Sequence, residues 1–214
     1  TTVLRKVYLD NAATTAIADE VIAAMVQTMQ TVCGNPSSSH QYGRTAKTIV
    51  ENARKSIAKH LNVTASELIF TSGGTEANNL ILRNAVVNLG VTHVVTSKIE
   101  HAAVLNPLKE LATDYGIKIS YVDLDSKGLL DHAHLRSLLS NTRHKTLVSL
   151  MAVNNEIGSL LSIQKTAKIC HEYKALFHSD AVQAIGHFNI DLQRDCVDFI
   201  TASAHKFHGP KGIG

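Results

Sequence analysis

The strongest constraint on this chain is an alternation. From about residue 68 onward, short apolar runs rich in β-branched residues take turns with longer stretches of helical period. Strands are predicted at Leu68–Thr71, His93–Ser97, Ile117–Val122, Thr146–Val153, Leu176–Asp180 and Asp198–Ala202. Between them the 3–4 spacing of apolar residues predicts helices from the TSGGTEANN segment to about Leu89, and over Ala102–Tyr115, Ala133–Ser140 and Ile163–Tyr173. Thr146–Val153 is nearly all apolar, as a strand covered on both faces should be. Strands linked through helices cannot pair as hairpins. They pair in parallel, so the expected fold class is α/β, a mostly parallel sheet sandwiched by helices. Two further helices, Asp19–Thr31 and roughly Arg44–Leu61, precede the alternation, separated by the turn-forming GNPSSSHQYG.

Composition excludes several classes of function. With 44% hydrophobic and 18% charged residues the chain can build a core and is not a disordered tail. A net charge of +3 is too small for a dedicated nucleic-acid binder, so no direct nucleic-acid partner is expected. No apolar run reaches eighteen residues and the first fifteen lack a signal-peptide core, so neither a membrane span nor export is expected. Three widely spaced cysteines suit a reducing cytoplasm and form no zinc pattern, so no metal is expected. The chain stops at KGIG, where an apolar stretch is starting, which suggests part of something longer.

Ligands of open α/β sheets gather at the carboxyl ends of the strands. Five predicted strand ends carry polar groups: Thr71-Ser72-Gly73-Gly74-Thr75, Lys98-Ile99-Glu100-His101, Asn154-Asn155-Glu156, Ser179-Asp180-Ala181-Val182-Gln183 and Ser203-Ala204-His205-Lys206. SGGTE can offer backbone N–H groups and a helix N-terminus to an anion, or be only a turn with Thr75 as cap. It is neither a Walker loop nor a dinucleotide fingerprint. Lys206 can form a Schiff base if desolvated, or simply face solvent. Asp180 can hold a pyridinium proton, or cap a helix. Together these are the three parts that pyridoxal phosphate requires. His101 can stack on a flat ring and shuttle a proton, or be a helix-start residue capped by Glu100. His40, His178, His187 and His208 read mostly as surface or loop residues. Cys170 and Cys196 read as core fillers, and Cys33 as an accessible loop thiol without a base beside it.

YLDNAATT, GNPSSSH, FTSGGTEANN, EHAAVL, VNNEIG, HSDAVQAIG and SAHKFHGPKGIG stand in an order that resembles the cysteine desulfurases of the NifS/IscS type, from Tyr8 to Gly214. The resemblance implies the large domain of the aspartate-aminotransferase-like, fold type I pyridoxal-phosphate enzymes. An N-terminal segment 1–15 and a cofactor domain 16–214 would be present and the C-terminal small domain missing. It implies that Lys206 carries the cofactor as a Schiff base and later acts as base. Asp180 would pair with the pyridine nitrogen, Gln183 with the phenolic oxygen, and His101 would stack on the ring and move protons. Gly74, Thr75, Ser203 and His205 would bind the phosphate, with Ala204 in the same site. Asn155 would contact cofactor or substrate, and Asn11 would border the substrate. The implied reaction converts L-cysteine to L-alanine and an enzyme persulfide, in a cytoplasmic homodimer that serves sulfur-accepting scaffold or carrier proteins for iron–sulfur clusters and thio-modified tRNA. None of Cys33, Cys170 or Cys196 stands where the family's nucleophilic thiol lies, so the chain alone is expected to be inactive. Selenocysteine lyase, aminotransferase and non-catalytic cofactor-binding readings stand as alternatives. A sheet strand expected after Gly214 would be missing, which would leave an unpaired edge with a risk of aggregation.

Overall fold

A computed structural model describes residues 6–214, so the expected segment 1–15 is seen from Lys6 onward. Five strands form one wholly parallel sheet: β1 (His93–Thr96), β2 (Lys118–Tyr121), β3 (Thr146–Ser149), β4 (Leu176–Asp180) and β5 (Phe199–Thr201). Their order is β2-β1-β3-β4-β5. The chain runs outward from β1 to β2, then crosses back to β3. The direction of winding therefore reverses between β1 and β3, the place where an α/β sheet opens a crevice.

Helices α1 (Asp19–Thr31), α2 (Gln41–Leu61), α3 (Gly74–Val87), α4 (Ala102–Tyr115), α5 (His132–Ser140), α6 (Ile163–Glu172) and the short α7 (Leu192–Asp195) complete the fold. Strand alternation sorts two cores onto opposite faces of the sheet. Leu82 and Val86 of α3 and Val104, Leu108 and Leu111 of α4 close over Val94 and Leu147. Leu135 and Leu139 of α5 and Ala167, Ile169 and Cys170 of α6 close over Val95, Val148 and Phe177. Each large side chain fully withdrawn from water contributes about 1.5–3 kcal/mol, which makes these two layers the main support of the sheet.

Some boundaries differ from the sequence reading, each for a physical reason. Leu68–Thr71 is extended but forms no strand. Leu68 N–H turns back to Ala65 O at 3.3 Å, and Thr71 exchanges N–H···O bonds of 2.8 and 2.9 Å with Gly214; one such pair is no ladder, and a strand exists only through its ladder. The apolar run Thr146–Val153 is strand only to Ser149. Leu150 and Ala152 still donate to β4, to His178 O at 3.1 Å and Asp180 O at 2.8 Å, and Val153 then bridges Leu160 in antiparallel fashion. Helix α2 begins at Gln41, because His40 Nδ1 accepts the Gly43 N–H at 3.3 Å and the buried Gly43 lets the first turn pass close to Ser38. Gly43 therefore serves the helix start instead of marking a break before it. Helix α1 contributes no buried residue; Ile22, Met25, Val26 and Met29 are exposed along one side.

No helix among the described residues is long and apolar enough to cross a membrane. No group of three or more His, Cys, Asp or Glu among them is placed to hold a metal ion.

Candidate active site

Four strand ends and one helix start converge on the same end of the sheet. Asp180 is the last residue of β4 and is 5% exposed. Its Oδ1 accepts the Val182 N–H at 3.0 Å and its Oδ2 accepts Asn78 Nδ2 at 2.8 Å. Two donors, one on each oxygen, fix the carboxylate in place. Lys206 closes a short 3-10 turn, Ala204–Lys206, after β5. Its ammonium donates to the carbonyls of Ala12 and of Ala13, the latter at 3.0 Å. Burial pushes its pKa below the ordinary lysine range, while Asp10 and Asp180 pull it back up. An amine that loses its proton more readily is a better nucleophile toward a carbonyl carbon.

Residues 10–18 form the outer wall. Ala12 O also accepts Gln183 Nε2 at 2.9 Å. Thr15 bonds His205 O through both its N–H, at 2.8 Å, and its hydroxyl, at 3.0 Å. His208 N–H donates to Thr15 Oγ1 at 2.8 Å. Asn11 lies exposed in the turn that ends this wall.

The helix start is built for close approach. Gly73, at φ +156°, is the N-cap of α3 and supplies no side-chain acceptor. The first-turn N–H groups of α3 are thus left for a ligand, with the favourable end of the helix dipole behind them. A Cβ on Gly74 would fall 2.7 Å from Val182 Cγ2, so the glycine lets α3 press against the loop after β4. The buried Ser203 places its Oγ next to Gly73. Thr75 is exposed in the first turn and is not the cap. Glu76 reaches back instead, accepting the Ser72 N–H at 2.6 Å, which holds its carboxyl below the usual range.

His101 is exposed and is itself the N-cap of α4, its Nδ1 accepting the Ala103 N–H at 3.0 Å. In the neutral ring that contact leaves the proton on Nε2, which faces outward. Glu100 does not cap this helix. It is buried, accepts the Ser97 hydroxyl at 2.7 Å, and has an unpartnered second oxygen. His205 shares a 3.1 Å hydrogen bond with Thr14, and burial with Lys206 and Lys211 nearby keeps it neutral more readily than a free histidine. Ala204 contributes no donor: its N–H is engaged by Ile213 O at 3.1 Å and its Cβ fills the space beside Gly209. Asn155 is half-buried, and its side chain makes no protein hydrogen bond among the described residues.

Sequence reasoning missed two buried residues here, Asn78 and His178, and placed a third, Asn154, at a strand end but gave it no role. Asn154 donates to Ile99 O at 2.8 Å and accepts the N–H groups of Glu156 and Ile157 at 2.8 and 3.0 Å, so it ties Asn155 to the turn bearing His101. Asn78 reads as one more polar helix residue, yet it is 1% exposed and bonded to Asp180. His178, expected on the surface, lies fully buried in β4 with Ser149 Oγ 2.9 Å from its Nδ1, and burial drives its pKa down to about 3. The thiols are corrected as well. Cys170 is buried and pushed up to about 12 by burial, but Cys196 is exposed at the end of α7 and is not a core residue.

These placements can be set beside known proteins. The chain is 44% identical over 212 residues to the cysteine desulfurase IscS of Dictyoglomus turgidum, covering 98% of this chain and 53% of that protein. It is 43% identical over 213 residues to the IscS of Vibrio cholerae, covering 97% and 52%. The chain thus spans about half the length of the curated relatives it matches. Among solved structures, a NifS-like protein superposes with a TM-score of 0.91 at 40% identity, covering 98% of this chain and 58% of the other. SspA in complex with cysteine superposes with a TM-score of 0.89 at 33% identity, covering 97% and 59%. Residues 7–214 match the aminotransferase class-V family, and the chain belongs to it.

Proposed function

We propose that the complete protein is a pyridoxal-phosphate-dependent cysteine desulfurase and that these 214 residues are its cofactor domain. The observation that carries this reading is the convergence of Lys206, Asp180 and the open N-terminus of α3 at one end of the sheet. An aldehyde needs an amine of lowered basicity, a pyridine nitrogen needs a buried carboxylate, and a phosphate needs unengaged N–H donors. The residues present meet all three needs. The IscS relatives and the cysteine complex of SspA support cysteine as substrate.

Pyridoxal phosphate, when bound, supplies an electron-withdrawing ring that stabilises negative charge at a substrate α-carbon. The chain's own groups would divide the remaining work. Asp180 keeps the ring nitrogen protonated. Gln183 donates to the phenolic oxygen, and Gly74, Thr75, Ser203 and His205 hold the phosphate. Lys206 Nζ would be the covalent anchor of the group and the base at the substrate α-carbon. His101 covers the ring and carries a transferable proton on Nε2. Asn155 and Asn11 border the substrate. A thiolate outside this chain takes the sulfur: the substrate C–S bond breaks, an S–S bond forms on the enzyme, and the carbon left behind is protonated to give L-alanine. The same reading makes the protein a cytoplasmic homodimer that passes the persulfide sulfur to scaffold or carrier proteins for iron–sulfur clusters and tRNA thiolation.

The test is chemical. After borohydride treatment of the cofactor-loaded protein, mass spectrometry should find the adduct on the peptide bearing Lys206 and lose it in Lys206→Ala. L-cysteine should yield alanine with a matching amount of sulfane sulfur. An adduct on another lysine would overturn the lysine assignment, and a keto acid as product would replace the desulfurase reading with an aminotransferase.

A further inference from the structure

Behind Asp180 lies a chain of buried polar groups that the reaction as described does not use. The register of β4 and β5 sets Asp180 directly beside Thr201. Asn78, on the α3 face of the sheet, lies across both. All three are buried, at 5%, 1% and 1% exposure for Asp180, Thr201 and Asn78. Thr201 Oγ1 donates to Asn78 Oδ1 at 2.9 Å, and Asn78 Nδ2 donates to Asp180 Oδ2 at 2.8 Å.

The order of donors in this chain is decisive. An amide has one accepting end and one donating end. With the Thr201 hydroxyl occupying the accepting end, the donating end must face Asp180. Without that hydroxyl the amide can turn over and present its oxygen to the carboxylate, replacing an attraction with a repulsion. Both bonds run in one direction, toward the negative charge, and each strengthens the other in a region closed to water. The Val182 N–H on Oδ1 completes the hold, so the remaining lone pairs of Asp180 point to one fixed place.

We propose that Asn78, oriented by Thr201, is the positioning residue of Asp180: it fixes the direction of the carboxylate, so that a protonated ring nitrogen is held in front of it. The proposal rests on the reading of Asp180 as the partner of the cofactor's ring nitrogen and deepens it.

Three variants of the complete protein test it: Asn78→Leu, close to isosteric but without the amide; Thr201→Val, which keeps the amide and frees its orientation; and Thr201→Ser, which restores the hydroxyl. Each apoprotein is titrated with pyridoxal phosphate, and the absorbance of the resulting imine is followed against pH. Asn78→Leu should weaken cofactor binding about tenfold or more, as expected for loss of a hydrogen bond to a buried charge. Its imine should titrate at higher pH than in the wild type, because a ring nitrogen that holds its proton less firmly withdraws less charge. Thr201→Val should move both readouts the same way by a smaller amount, and Thr201→Ser should return them to wild type. A wild-type protein that forms no imine would overturn the reading of the site itself. Wild-type binding with Asn78→Leu within about twofold in affinity and unshifted in imine titration would overturn the positioning role alone. A lowered melting temperature with an unmoved imine titration would also overturn it, as it would show a merely structural contact. Should Asn78→Leu fail to fold, Thr201→Val against Thr201→Ser decides by the same two readouts.

Discussion

Glu100 gives the sharpest test of the electrostatics at this end of the sheet. It is 7% exposed, has one oxygen bonded to Ser97 and the other unpartnered, and lies close enough to Asp180 to feel its charge. Burial is the main cause, with Asp180 adding to it, that raises its pKa from 4.5 to about 8. The sign follows from proton counting. Between pH 4.5 and 8 the folded chain keeps a proton that the unfolded chain has released. The folded state therefore binds more protons, and stability must fall as pH rises through that window. At full strength the slope is about 1.4 kcal/mol per pH unit, so by neutral pH the wild type has given up about 3 kcal/mol. Glu100→Gln cannot ionise and escapes this loss, although its amide nitrogen meets the same lack of a partner and adds a pH-independent offset. The assay is urea unfolding of both proteins at half-unit steps from pH 5 to pH 8, with the quantity of interest the difference between them. Taking the difference removes the opposing contribution of His93 and His178. Their pKa values, depressed to about 4 and about 3, make stability fall as pH drops below the ordinary histidine range. Glu100→Gln should gain on the wild type steadily as pH rises. A difference that stays flat across the range would mean that Glu100 is ionised inside the fold and that its burial has been misread.

Two further outcomes follow from the same contacts. Asn154→Ala removes one hydrogen bond that joins the turn after β3 to the turn bearing His101 and two that hold the first turn itself, and should lower unfolding stability by about 2–4 kcal/mol in urea titration. Asn154→Asp, which keeps the two acceptor contacts but opposes Ile99 O, should recover only part of it. Of the three thiols, Cys33 and Cys196 should react with a disulfide reagent in the native protein, whereas Cys170 should react only after unfolding; peptide mapping reads all three.

Much of this architecture is legible in the sequence, and the exceptions share a cause. Helices α1 and α4 fall at the predicted residues, because an unbroken apolar spacing is a local property that needs no partner to be seen. Leu68–Thr71 has strand composition but pairs only at Thr71, and pairing is decided by what lies beside it. Beyond Ser149 the chain stays apolar and buried and still donates from Leu150 to His178 O at 3.1 Å and from Ala152 to Asp180 O at 2.8 Å, so the regular strand ends before its contact with β4 does. The strand-end rule brings Lys206, Asp180 and the start of α3 together, since topology alone places them. It places Asn154 at a strand end without showing what it bonds, and it is silent on Asn78 and His178. Asn78 reaches Asp180 across 102 residues of sequence, and nothing local distinguishes an asparagine with such a partner from one in water.

The wall formed by residues 10–18 has a consequence for how the site comes into being. Lys206 Nζ is bonded to carbonyls 193 and 194 residues earlier in the chain, so its position is set by closing nearly the whole sequence into one loop. Contacts of such span carry a larger loop-closure cost than the local helices or the pairing of neighbouring strands. During synthesis the first strands can assemble while the lysine is still to be made. The placement of the lysine therefore requires the two ends of the described chain to be brought together, and a chain in which they lie apart, however helical, leaves that amine unplaced.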